Sequence, residues 1–174
     1  MQYTSFERVK LALEHKEPDR IPFDIGGAFV TGINIKTSKR LKKYLGLSEK
    51  VELWDKTTQL AKMDNDIIEK LKIDFKNVGP EAPSEPGLSK YLGLEGNHYR
   101  LIDEFGIGWQ MPVENGHFYD LHLSPLKDTE TVEDIENYPW PDPVDAARFV
   151  NLKKRADETV YKEEKAYVLG RMSA

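Results

Sequence analysis

Ser5-Phe6-Glu7-Arg8-Val9-Lys10-Leu11-Ala12-Leu13, followed by Glu17-Pro18-Asp19-Arg20-Ile21-Pro22-Phe23-Asp24-Ile25-Gly26-Gly27, is the stretch on which the fold turns. Thr4 and Glu7 have the spacing of a capping box, in which each side chain satisfies an amide of the other's first-turn backbone. Phe6, Val9 and Leu13 then share one helical face, with Ala12 beside them. Pro18 stops the helix, and Ile21 to Ile25 reads as a first core strand. Pro22 is tolerable near a strand start but not deep in a central ladder. The strand ends in an acid and two glycines. An α/β barrel places its chemistry at the C-terminal ends of its strands. Asp24 is therefore the candidate catalytic residue, as a base or a group that orients substrate. The alternative is an aspartate that caps the turn after it. Gly26 and Gly27 are candidate substrate-binding positions, either admitting a ligand close to the backbone or simply permitting positive φ.

Further along, a helix is expected from Thr37 or Ser38, carrying Leu41, Tyr44 and Leu45 and ending at a left-handed Gly46. Leu60 to Met63 leans helical. Asp64 is placed to cap a helix bearing Ile67, Ile68 and Leu71. Asp74-Phe75-Lys76-Asn77-Val78-Gly79 reads as the second core strand and its exit. With three prolines and three glycines, 80–96 reads as loop. Segments 99–103, 107–111 and 118–123, with the turn signal Asn115-Gly116, predict an antiparallel hairpin insertion over about 97–124. A short acidic helix is expected over 132–137, then the stiff connector Tyr138-Pro139-Trp140-Pro141-Asp142-Pro143. A longer helix carries Phe149, Leu152, Ala156 and Val160, and Ala166 to Arg171 is the third core strand.

Helices separate the three core strands, so parallel pairing is expected. The resulting fold class is α/β: a single domain, 1–174, forming part of a (β/α)₈ barrel. A complete barrel takes about 250 residues, and three strands cannot close one. Asn77 and Arg171, near the ends of the second and third strands, complete the candidate substrate-binding set. Arg171 either meets an anionic substrate group or closes an ion pair with Asp24.

Composition narrows the function classes. A net charge of −5 with no long basic run argues against a nucleic-acid partner. Lys39-Arg40 and Lys42-Lys43 read as a solvated helix face. Without cysteine the chain has neither a disulfide nor a thiolate ligand. His117 and His122 are spaced poorly for a shared metal, and no metal site is assigned. Trp109, Phe118 and Tyr119 read as the apolar face of the hairpin. No apolar run approaches membrane length, so a cytoplasmic protein is expected. Three strands leave an edge and an apolar face without neighbours, which points to a homo-oligomer. No Walker loop, nucleophile elbow or Rossmann fingerprint is present.

The segment from Arg8 to Gly27 resembles the uroporphyrinogen decarboxylase superfamily. So do Tyr44-Leu45-Gly46-Leu47, Leu71-Lys72-Ile73-Asp74, Asp103-Glu104-Phe105-Gly106-Ile107-Gly108-Trp109, Ser124-Pro125-Leu126 and Tyr138-Pro139-Trp140-Pro141-Asp142-Pro143, in order and spacing. The resemblance implies an N-terminal half of a TIM-barrel enzyme nearer the corrinoid-dependent methyltransferases. The decarboxylases follow their first strand with an arginine-rich loop, whereas this sequence has no arginine from Asp24 to Ile35. Porphyrinogen carboxylates call for guanidinium forks, so decarboxylation in porphyrin synthesis is the second reading. A non-catalytic, self-associating half-barrel is the third. In the methyltransferase branch, zinc is held in the second half of the barrel and the corrinoid sits on a partner protein. No cofactor is therefore expected within this chain, and the partners implied are a small molecule or a corrinoid protein.

Overall fold

The computed structural model describes residues 2–170. The chain is mixed α/β. Its helices are α1 (Ser5–Leu13), α2 (Ile35–Tyr44), α3 (Asn65–Lys70), α4 (Val132–Glu136) and α5 (Leu152–Tyr161). Its strands are β1 (Leu53–Asp55), β2 (Leu60–Ala61), β3 (Phe75–Val78), β4 (Lys90–Glu95), β5 (His98–Ile102), β6 (Gly108–Pro112), β7 (Asp120–Leu123) and β8 (Ala166–Leu169). Among the described residues they form three small sheets and no closed barrel. The chain divides into two compact units, one of 2–54, 60–81 and 149–170, the other of 55–59 and 82–148.

In the first unit the helices begin where the sequence supplies caps. Thr4 Oγ1 accepts from Glu7 N at 3.1 Å, and Glu7 Oε2 accepts from Thr4 N at 2.9 Å. Helix α2 starts at Ile35, ahead of the expected Thr37, because Asn34 caps it by accepting from Lys36 N at 2.9 Å. Gly46 ends the helix with φ of +70°. Asp64 caps α3 by accepting from Ile67 N at 3.2 Å. Helix α3 buries Ile67 and Ile68 with Ile73, and Ile25, Leu47, Met63 and Leu71 pack around them.

Strands β3 and β8 pair in parallel, from Phe75 opposite Ala166 to Val78 opposite Leu169. Helix α5 lies against both. The second and third expected core strands are thus neighbours in one sheet. The first is not a strand. Pro22 has no amide hydrogen to give a ladder, and Phe23 N is taken by the Asp74 carboxylate at 2.8 Å rather than by a strand. One backbone bond, from Asp74 N to Phe23 O at 2.9 Å, ties the segment to the sheet. Residues 60–63 also depart from expectation: Leu60–Ala61 is a short strand, not a helix. A left-handed Gln59, with φ of 58°, turns the chain there. Lys62 N then donates to Glu52 O at 2.9 Å.

The second unit is built on an antiparallel sheet in the order β4-β5-β6-β7. The three expected hairpin arms are β5, β6 and β7. Strand β4 lies inside the segment read as loop. Its glycines mark a bulge and a turn rather than a break: the register shifts between Tyr91 and Gly93, where φ is +80°, and Gly96 at +63° reverses the chain. Asp103 shapes the next turn by accepting from Phe105 N at 2.9 Å, Ile107 N at 3.0 Å and Trp109 Nε1 at 2.8 Å. The acidic helix α4 forms as expected, with Thr131 capping it. Buried Arg148 pairs with buried Glu104, and Ser84 donates through N and Oγ to Asp145 Oδ2.

Candidate functional site

The loop after Asp24 lies along β3 from Phe75 to Asn77 in the first unit. Asp24 Oδ1 accepts from Gly27 N at 2.8 Å, and Asp24 Oδ2 accepts from Thr31 Oγ1 at 2.7 Å. The loop closes on itself through Gly26 N donating to Thr31 O at 3.0 Å. Asn77, on β3, donates through Nδ2 to Gly27 O at 3.1 Å. Gly170 follows β8, and its amide donates to Val78 O at 2.9 Å.

The glycines here serve different ends. Gly26 has φ of +76°, which L side chains rarely adopt. A Cβ on Gly27 would lie 2.5 Å from Asp24 Oδ1 and 2.7 Å from Phe75 Cβ. A Cβ on Gly170 would lie 2.7 Å from Asn77 Nδ2. Close packing of strand, loop and amide is thus the requirement at Gly27 and Gly170.

Asp24, Gly26, Gly27 and Asn77 therefore converge, and Arg171 lies outside the described residues. Asp24 does cap the following turn, the plainer of its two readings. Its carboxylate is also held by two donors at a strand-end loop, and each of its oxygens has a further lone pair with which to accept from a substrate. Sequence reasoning missed Thr31 and Gly170. No spacing rule links an aspartate to a threonine seven residues on, and Gly170 is needed only because β3 runs beside it. Among the described residues, no group of three or more His, Cys, Asp and Glu side chains is arranged to hold a metal ion.

No protein-family model, curated protein or solved structure matches the chain. The reading of this site therefore rests on its own chemistry and on the sequence resemblance.

A second polar cluster lies at the opposite, N-terminal ends of β3 and β8. Buried Asp74 accepts from Arg8 Nη1 at 2.7 Å, Arg20 Nη1 at 2.6 Å, Arg20 Nη2 at 2.8 Å and Phe23 N. Arg8 also forks onto Asp19, with Nε to Oδ1 at 2.6 Å and Nη2 to Oδ2 at 2.9 Å. The Arg8 fork holds the Asp19 carboxyl at about 2. Burial works to raise the Asp74 pKa, but Arg20 and the Phe23 amide outweigh it and the group stays below the usual range. The network ties helix α1 and the 19–23 segment to the N-terminal end of β3. Arg8, Asp19 and Arg20 of the opening sequence stretch build it around Asp74.

Proposed function

We propose that this chain forms the N-terminal part of a uroporphyrinogen decarboxylase-like barrel enzyme that transfers a methyl group to or from a corrinoid. The observation that supports the reading is the convergence of Asp24, Gly27 and Asn77 where parallel strands β3 and β8 end. That is the end at which barrel enzymes carry out their chemistry. Asp24 would orient the substrate or take its proton, while Thr31 and the Gly27 amide fix the carboxylate. Asn77 Oδ1 offers an acceptor beside it. The arginine-free loop from Asp24 to Ile35 favours methyl transfer over decarboxylation of a polycarboxylate. In the methyltransferase branch that the sequence resembles, zinc would be held in a second half of the barrel and the corrinoid on a partner protein.

Methyl transfer from methylcobalamin to a thiol, followed through the corrinoid's visible spectrum, tests this in the protein encoded by the whole reading frame. Asp24→Asn should lower turnover about 10²-fold or more, with the circular dichroism unchanged. Coproporphyrinogen formed from uroporphyrinogen, or undiminished methyl transfer by Asp24→Asn, contradicts the proposal.

A further inference from the structure

A cavity of about 540 Å³ opens at the N-terminal ends of β3 and β8, and Tyr3, Arg8, Arg20, Lys72, Glu164 and Lys165 are among its lining residues. We infer that Lys165 is an amine nucleophile facing this cavity, able to form a Schiff base with an aldehyde that carries an anionic group.

The geometry of the amine carries the inference. Lys165 Nζ donates to Ile73 O at 2.7 Å and reaches Ser5 Oγ at 3.4 Å. A lysine ammonium has three protons to place. Two acceptors are present here, and neither is a carboxylate. A neutral amine satisfies both with its two hydrogens and keeps its lone pair. The neighbouring cations act in the same direction, and Asp74 opposes them. Arg8, on α1, is committed to Asp19 and Asp74, and Arg20 to Asp74. Lys76, on β3, is paired with Glu163. Asp74, the acid whose charge pulls on Lys165, is thus shared between two guanidiniums. Glu164 lies in the turn before β8 and Lys72 in the turn before β3. Burial first, then Lys76, Arg20 and Arg8, hold the Lys165 amine below its ordinary range against the pull of Asp74.

The chemistry balances without a further reactant. The amine lone pair attacks the carbonyl carbon, the C–N bond forms, and the π pair moves to oxygen. A proton passes from nitrogen to that oxygen. The nitrogen's second proton then moves to the new hydroxyl, the nitrogen lone pair forms the C=N bond as the C–O bond breaks, water leaves, and the imine remains. Lys72 lines the same cavity without an ion pair among the described residues. Its ammonium can answer a phosphate or carboxylate on the aldehyde. Asp74 and Asp19 are already engaged and oppose such an anion little.

Pyridoxal 5′-phosphate and its unphosphorylated form, each trapped by borohydride, are the probes, and peptide mapping reads every lysine of one chain together. Lys165 should be labelled several-fold faster at neutral pH than Lys153 or Lys162, which are far more exposed. Its labelling should also level off at a lower pH than theirs. Lys72→Ala should slow the phosphorylated probe several-fold and leave pyridoxal unchanged. Labelling that follows exposure, with Lys165 no faster than Lys153, overturns the inference. Because the comparison is made within the unaltered chain, a misfolded variant cannot produce that result. Equal loss of both probes in Lys72→Ala overturns the anionic part.

Discussion

Asp74 carries a charge with its side chain wholly out of water, and its four donors make that tolerable. Removing one partner of a buried ion pair costs far more than the pair itself contributes, because the other charge stays buried. Arg8 is 4% exposed. Asp74→Ala should therefore lower stability by about 3 kcal/mol, read as a shift in the urea midpoint without a change of slope. Asp19 adds a pH dependence. Its folded pKa, at about 2, lies below the unfolded carboxylate value. Its contribution is thus fully present above the unfolded value near 4 and is lost as pH falls towards 2. Asp74 is shifted in the same direction. Urea midpoints taken between pH 5 and pH 2 should fall, and Asp19→Asn should flatten that fall. A wild-type midpoint that holds steady down to pH 2 would show that the network is not ionised as described. At the other end of the strands, Gly27→Ala should push Asp24 out of place, since Phe75 blocks the alternative direction. Activity should drop with Asp24→Asn, and stability should drop as well.

Turns decide the elements. Gly106 sits at φ of +77° between β5 and β6, and a Cβ there would run into the Tyr138 hydroxyl, which itself donates to Phe105 O. Gly106→Ala meets both strain and a clash, so it should destabilise by more than about 1 kcal/mol. The same change at Gly46, also left-handed but with open space around it, meets strain alone and should cost less. Comparing the two thermal midpoints separates backbone strain from contact. Capping signals made α1 and α3 legible, because Thr4 and Asp64 act within their own turn. The parallel neighbours β3 and β8 were legible too, since a helix must bridge them. Strand β4 was not: Gly93 and Gly96 look alike in sequence, and only the partner strand shows one as a bulge and the other as a turn. Residues 21–25 failed for a different reason. Their hydrophobic alternation is genuine, but the donor of Phe23 goes to a side chain 51 residues away. Asp24 was singled out as the end of a strand that does not form, and it meets Asn77 only through the Gly27 carbonyl, while Thr31 and Gly170 depended on loop closure.

For the whole chain, the balance of exposed and buried apolar surface bears on association. The buried apolar side chains include Val9, Ile67, Ile68, Ile73, Val78 and Leu101, while Tyr91, Leu94, Leu121, Tyr167 and Leu169 are exposed. In the antiparallel sheet these exposures fall on one face. Register sets Tyr91, Leu101, Trp109 and Leu121 in one row, and Leu94, Tyr99 and Met111 in the next. Among the described residues, β8 pairs with β3 alone, so its other edge keeps unpaired backbone groups beside Tyr167 and Leu169. Apolar faces of this kind and open strand edges both gain from cover. A homo-oligomer is the expected outcome, and mass action supplies the readout: if association covers these surfaces, the unfolding midpoint rises with protein concentration. Thermal scans across a hundredfold concentration range, paired with sedimentation at micromolar protein, should show a rising midpoint and a mass above 20.0 kDa. Leu169→Lys would place a charge at the open edge of β8, a recognised means of blocking edge pairing. It should lower the sedimenting mass if β8 is the joint, whereas Leu121→Lys should do so if the sheet face is. A monomer with a concentration-independent midpoint would mean that these exposed side chains are tolerated as ordinary surface, as scattered apolar residues are.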